Sequence, residues 1–257
     1  MNVQSLIARG AIFYCSTSGG KDSQAMTALL ARLIPAEQLV YVHANLGEVE
    51  WHGVQDHIND TLPAGGELNV VTANWADGTE KTLLGMVENR GMWPSSAYRQ
   101  CTSDLKRNPI QKFIRRDLKA RGSKLAVNCM GIRSEESKSR AKNISEKFVD
   151  GWRLATKEMC AAGREVYDWY PLHDWSTEMV FAQIKRAGQQ PHYAYAEGNE
   201  RLSCCFCIMG SKNDLRNAAR LRPELAAKYI ALEEKIGHRF TDKATLAELI
   251  ATDGGAA

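Results

Sequence analysis

The stretch Ala11-Ile12-Phe13-Tyr14-Cys15-Ser16-Thr17-Ser18-Gly19-Gly20-Lys21-Asp22-Ser23-Gln24-Ala25-Met26 decides how the rest of the chain is read. Its first five residues are apolar and short enough for a buried strand. A serine- and glycine-rich turn follows, and then Met26, Leu29, Leu30 and Leu33 recur at the spacing of one helix face. The order is therefore strand, loop, helix. Adjacent glycines let a backbone turn sharply and bring N–H groups towards an anion. A helix N-terminus adds partial positive charge at the same place. Ser16, Ser18 and Ser23 offer hydroxyls, Lys21 a full charge, and Asp22 a carboxylate beside it. The loop thus suits phosphate or pyrophosphate, with Lys21, Asp22 and Ser23 as catalytic candidates. It lacks the spacing of a Walker loop, in which four residues separate a glycine from Gly-Lys-Ser/Thr.

Outward from this loop, Leu39-Val40-Tyr41-Val42, Asn69-Val70-Val71-Thr72 and residues 124–130 read as three further strands. A helix is expected before the last of them. Asn108 suits its N-cap and Pro109 its first position, and Ile110, Phe113, Ile114 and Leu118 form its apolar face. Strands alternating with helices predict an α/β fold: a parallel, Rossmann-like sheet in a three-layer sandwich, with its binding crevice at the carboxyl ends of the strands. After residue 160 the pattern changes. Helices are expected near 177–186, 223–236 and 243–250, around a cluster of cysteines. The expected division is a nucleotide-binding domain over 1–160, a C-terminal helical, cysteine-bearing appendage over 161–250 packed on the binding edge, and a disordered tail over 251–257.

The chain has 257 residues, a net charge of +3 and no apolar run near the length of a membrane span. Met1 to Ser5 lack the basic-then-apolar layout of a signal peptide, so a cytoplasmic protein without membrane contact is expected. Seven cysteines are an odd number for a disulfide framework. Cys15, Cys129 and Cys160 stand apart from one another, and the first two read as packing in buried strands. Cys204 and Cys207 have Cys-x-x-Cys spacing, which lets one turn present two thiolates to one metal. Cys101 is the natural third ligand and Cys205 a possible fourth. Soft thiolates select zinc or an iron–sulfur cluster.

Arg133 and Arg140 follow the end of the fourth strand, where a guanidinium fork could grip phosphate. Lys106, Arg107, Lys112, Arg115, Arg116, Lys119, Arg121 and Lys124 crowd a stretch with only two acids, Asp104 and Asp117. This basic 106–124 region is either a solvated helix face or a rim for a nucleic-acid backbone.

The string Ser18-Gly19-Gly20-Lys21-Asp22-Ser23 resembles the PP-loop of the adenine-nucleotide α-hydrolase superfamily. Other segments resemble one branch of it, the phosphoadenosine-phosphosulfate-reductase-like family. They are His43-Ala44-Asn45-Leu46-Gly47-Glu48, Arg99-Gln100-Cys101-Thr102-Ser103-Asp104-Leu105-Lys106, Gly131-Ile132-Arg133-Ser134-Glu135-Glu136-Ser137 with Arg140, Pro171-Leu172-His173-Asp174-Trp175, Pro191-His192-Tyr193, and Arg201-Leu202-Ser203-Cys204-Cys205-Phe206-Cys207. The resemblance implies an adenine-nucleotide site that includes Asn45, Gly47, Glu48, Gly131, Arg133 and Arg140 beside the loop. It also implies ATP or an adenylylsulfate-type nucleotide as ligand, with Mg2+, and a [4Fe–4S] cluster on the cysteines. Two departures matter. Iron–sulfur adenylylsulfate reductases carry adjacent cysteines where this chain has Gln100-Cys101, so the fourth ligand is either Cys205 or none, the latter leaving an open iron as the resemblance to iron–sulfur tRNA thiolation enzymes implies. Reductases use a nucleophilic cysteine on a C-terminal tail, and no cysteine follows Cys207. The expected activity is therefore an ATP pyrophosphatase that adenylylates a substrate for sulfur transfer, with nucleic-acid thiolation or phosphorothioation as a setting. A sulfur-donor protein such as a cysteine desulfurase, and assembly as a homo-oligomer or complex subunit, would accompany it. The alternatives are a sulfonucleotide reductase using a partner thiol and a non-catalytic nucleotide-sensing subunit.

Overall fold

The computed structural model describes residues 2–251. The described residues divide into two compact units: one runs up to Ala44 with Gln55–Val71 and Ile110–Pro191, and the other comprises Asn45–Val54, Thr72–Pro109 and the residues from His192 on.

The first unit is built on one six-stranded sheet of order β3-β2-β1-β4-β6-β5. Its strands are β1 (Ile12–Ser16), β2 (Leu39–Ala44), β3 (Leu68–Val71), β4 (Leu125–Met130), β5 (Trp152–Leu154) and β6 (Glu165–Trp169). All neighbours run parallel except β5, which joins the edge antiparallel to β6. Side chains alternate across the pleat, so each strand feeds two cores. Phe13, Cys15, Val127 and Cys129 lie on one side with Ala25, Met26 and Leu30 of helix Lys21–Leu33 and Val180 and Ile184 of helix Thr177–Arg186. Ile12, Tyr14, Ala126 and Val166 lie on the other with Ile114 and Leu118 of helix Asn108–Ala120. This is the expected α/β sandwich.

The chain leaves β1 for β2 on one side and later returns to β4 on the other. That reversal places the loops after β1 and β4 side by side, since Ser16 is in register with Met130.

Two local expectations are corrected. The sheet does not stop at residue 160, because β6 begins at Glu165 and pairs with β4. Its sequence hides this: Asp168 interrupts the apolar run, yet it is buried in ion and hydrogen bonds within the sheet. Asn108 is not an N-cap either. It has helical torsions, and the helix is already under way as a π-helical stretch over Cys101–Arg107. The Asn108 N–H reaches back five residues to the Ser103 carbonyl. Wider turns absorb the missing donor of Pro109 without ending the helix.

The second unit contains that π-helical stretch and the helices Leu83–Arg90, Tyr193–Ala196, Lys212–Leu221, Pro223–Ile236 and Leu246–Ile250. Its aromatic core stacks Trp93 on Tyr229 with centroids 5.2 Å apart, and sets Phe240 edge-on to Trp93 at 5.3 Å. Pro223 opens the helix Pro223–Ile236, and Gly237, at φ 64°, closes it. The expected tail, apart from Ala251, lies outside the described residues. No helix among the described residues is long and apolar enough to cross a membrane.

Candidate functional site

In the first unit the loop after β1 is braced from within. Gly19 has φ 72°, a left-handed conformation that favours glycine. Gly20 is the N-cap of helix Lys21–Leu33 and has no side chain to cap it, so the first turn keeps donors for an anion. Ser23 Oγ donates to the Gly20 carbonyl at 2.9 Å and accepts the Ser18 N–H at 3.1 Å. The Ser18 hydroxyl lies 3.3 Å from the same oxygen. Ser16 Oγ donates to Asn128 at 3.5 Å, and Asn128 donates to Asp168 at 2.9 Å. Arg153 closes that chain with two bonds to Asp168 at 2.9 and 2.7 Å.

The loop after β4 is pressed against this turn. A Cβ on Gly131 would lie 3.0 Å from the Asp22 carbonyl group and 3.1 Å from the Ser23 nitrogen, so any side chain there would press on that backbone. Arg133 is only 2 % exposed. Its Nε donates to Asp22 Oδ1 at 2.6 Å, Nη1 to Glu135 and to the Trp175 carbonyl at 2.9 Å, and Nη2 to Thr177 at 3.2 Å. Its fork is thus spent on the protein itself. Lys21 is buried, with its Nζ 3.4 Å from the other Asp22 oxygen. Arg140 is paired to Glu136. The structure therefore gathers Ser16, Ser18, Gly19, Gly20, Lys21, Asp22, Ser23, Gly131 and Arg133 in one place.

Asn45, Gly47 and Glu48 belong to the second unit. The Asn45 side chain accepts the Gly47 N–H at 2.7 Å, and the Glu48 carboxylate pairs with Lys228.

The second unit also collects four thiols. Cys101 opens the π-helical stretch and Cys204, Cys205 and Cys207 lie in the turn before helix Lys212–Leu221. Cys101, Cys204 and Cys207 influence one another's charge. Burial pushes the Cys204 thiol up to about 12; Lys106 opposes this, and Cys207, Cys101 and Glu50 add to it. Burial also raises Cys101, with Cys207 adding and Lys106 opposing. Burial works against the Lys106 ammonium, but Cys204, Glu50, Cys207 and Cys101 outweigh it and hold its pKa above the usual value. Lys106 thus belongs to the thiol neighbourhood, a correction to its expected place on a solvated basic rim.

Cys205 stands differently. Its N–H donates to the Val49 carbonyl at 2.9 Å, and its sulfur accepts from Arg222 Nη1 at 3.6 Å. Arg222 also donates to the Glu50 and Glu48 carbonyls, at 2.6 and 3.1 Å.

Among the described residues no three His, Cys, Asp or Glu side chains are drawn together tightly enough to hold a metal ion. The donor set nevertheless suits one in kind. Three soft thiols share a neighbourhood with an ammonium, and four buried donors of this unit, Tyr229 Oη, Arg222 Nε, Trp51 Nε1 and Trp93 Nε1, have no partner among the described residues. An anionic, sulfur-ligated group is chemically suited to those features.

Sequence reasoning missed Arg222 and Tyr229. Arg222 carried the faint signal of an N-cap position before proline. Tyr229 reads as one more apolar residue on a helix face.

The sequence pattern of the phosphoadenosine phosphosulfate reductase domain matches residues 12–209. An uncharacterised protein of Methanocaldococcus jannaschii is 23% identical over 226 residues, 87% of this chain and 48% of that protein. An uncharacterised 37.8 kDa protein of Escherichia phage 186 is 28% identical over 159 residues, 62% of this chain and 44% of that protein. The chain thus spans less than half the length of these relatives. Among solved structures it is similar to a phosphoadenylyl-sulfate reductase from Candida auris in a phosphate complex. The TM-score is 0.48, with 12% identity over 79% of this chain and 88% of that one. It is also similar to a U34-tRNA thiolase from Methanococcus maripaludis with its [4Fe–4S] cluster. There the TM-score is 0.43, with 14% identity over 98% of this chain and 85% of that one. Likenesses this distant assign no reaction.

Proposed function

The chain belongs to the phosphoadenosine phosphosulfate reductase domain family, and from that premise we propose that it is a PP-loop ATP pyrophosphatase that adenylylates an acceptor for sulfur transfer. The observation that carries the reading is the turn itself: a left-handed Gly19, a Gly20 N-cap with no side chain, and Lys21 in the first helical turn.

ATP enters as its Mg2+ complex, with its phosphates against the N–H groups of the turn. An acceptor oxygen attacks the α-phosphorus, the bond to the bridging oxygen breaks, and pyrophosphate leaves with that electron pair. Lys21 and the loop amides stabilise the charge that builds on the phosphate oxygens. Asp22, held on one side by Arg133, orients Lys21 with its other oxygen. Ser23 keeps the turn in shape through Gly20 and Ser18. Arg133 acts as a brace. When bound on Cys101, Cys204 and Cys207, a [4Fe–4S] cluster supplies iron at which sulfide can bind. The exposed Lys112, Arg116, Lys119 and Lys124 offer a nucleic-acid acceptor a basic face.

The test is product identification under anaerobic conditions, with ATP and adenylylsulfates in parallel. Pyrophosphate release from ATP is expected, and Lys21→Ala should lower it at least about 100-fold with an unchanged circular dichroism spectrum. An active Lys21→Ala variant would overturn the loop assignment. Sulfite release from an adenylylsulfate would replace the reading with a reductase, and nucleotide binding with neither product would replace it with a sensor.

A further inference from the structure

We propose that Tyr229 is a positioning residue for the sulfur-ligated group, donating its phenolic O–H to one of that group's sulfurs. The inference rests on the reading that Cys101, Cys204 and Cys207 take up an iron–sulfur cluster. It adds a residue from helix Pro223–Ile236, which begins beyond residue 209, where the family pattern ends.

Tyr229 is wholly buried, and its hydroxyl, like Nε1 of the Trp93 ring stacked on it, has no hydrogen-bond partner among the described residues. Buried hydroxyls in folded proteins nearly always have one, so this one calls for a group that the protein alone does not supply. The ring has little freedom to seek another. It is stacked on Trp93 at 5.2 Å, lies 5.0 Å from the ring of Phe206, and has Phe240 edge-on at 6.2 Å. Phe206 is flanked in sequence by Cys205 and Cys207, so the phenol is tied to the cysteine turn through a direct ring contact. Phenylalanine would fill the same space without stranding an oxygen; the hydroxyl is the feature that packing leaves unexplained.

An O–H···S bond draws electron density from the sulfur, which favours the reduced cluster and slows its loss. The experiment compares wild type with Tyr229→Phe, both purified anaerobically, by iron and sulfide analysis, potentiometric titration and bleaching by a chelator. The expected result is a more negative midpoint potential in the variant and bleaching about tenfold faster. Wild type without iron and sulfide after reconstitution would remove the cluster reading and this inference with it. A cluster in both proteins, with equal potentials and equal bleaching rates, would overturn this inference alone. The iron-free proteins provide the control. Without a protein partner to lose, iron-free Tyr229→Phe should melt no lower than iron-free wild type. A lower melting temperature, or failure to fold, would mean that the hydroxyl serves the fold, and would overturn the inference.

Discussion

The phosphate turn and the cysteine region treat their polar groups in opposite ways. In the first, Ser18, Ser23, Asp22 and Arg133 bond one another, so the turn holds its shape with nothing bound. In the second, Tyr229 Oη and Arg222 Nε are buried without partners among the described residues, and three thiols lie near one another without forming a cage there. The difference teaches that one site is finished by the protein, whereas the other leaves buried donors open. Preorganised donors lower a barrier because they need no rearrangement when charge develops. Unsatisfied donors and protonated thiols cost stability until a ligand claims them.

The largest expected effect strikes the finished site. Arg133→Ala should destabilise the nucleotide-free protein by about 3 kcal/mol, because it removes four hydrogen bonds made by a buried guanidinium and leaves a cavity where the side chain stood. Arg133→Lys should not restore it, since an ammonium cannot reach four acceptors in a planar fork. Urea unfolding without nucleotide measures both, and an unchanged midpoint would show that the turn is not braced in advance. A smaller loss, about 1–3 kcal/mol, is expected for Gly131→Ala, whose new methyl group would press on the Asp22 and Ser23 backbone. Nucleotide binding should weaken with it, and equal stability and affinity would remove the close contact from the account.

The smallest effect is chemical and sharpens the contrast between thiols. Cys15 and Cys129 are fully buried, and burial pushes Cys15 up to about 12 and raises Cys129 as well. Neither should react with iodoacetamide in the native protein, and raising the pH from about 7 to 9 should not expose them. The half-buried Cys101, Cys160 and Cys207 should label before the buried thiols in metal-free protein. Peptide mapping after brief alkylation reads the order, and uniform labelling would erase the distinction.

Much of the finished site was legible in the sequence, because its logic is local. A buried run, two glycines and a helix face are neighbours along the chain, and the strands that extend the sheet carry the same apolar signal. The roles of Arg133 and Lys106 were harder to read. A cation after a strand looks the same whether it awaits a phosphate or clamps Asp22 from 111 residues away. Lys106 sits among basic residues in sequence but among thiols in space. β6 was obscured by Asp168, a charge whose partners Asn128 and Arg153 come from other strands. The stranded hydroxyl of Tyr229 has no sequence signature, since only the fold decides which donors find acceptors.

The π-wound segment at Cys101–Arg107 has a consequence for how readily such a chain can change. Turns of this width accommodate one residue more than an ordinary helix of equal height, so a single-codon deletion there could be absorbed by tightening the coil. A coil that tightens in this way takes up the lost residue inside the turn, so the segments on either side keep their bearings about the axis. The extra width is slack that one small genetic step removes without turning the first sulfur away from its neighbours.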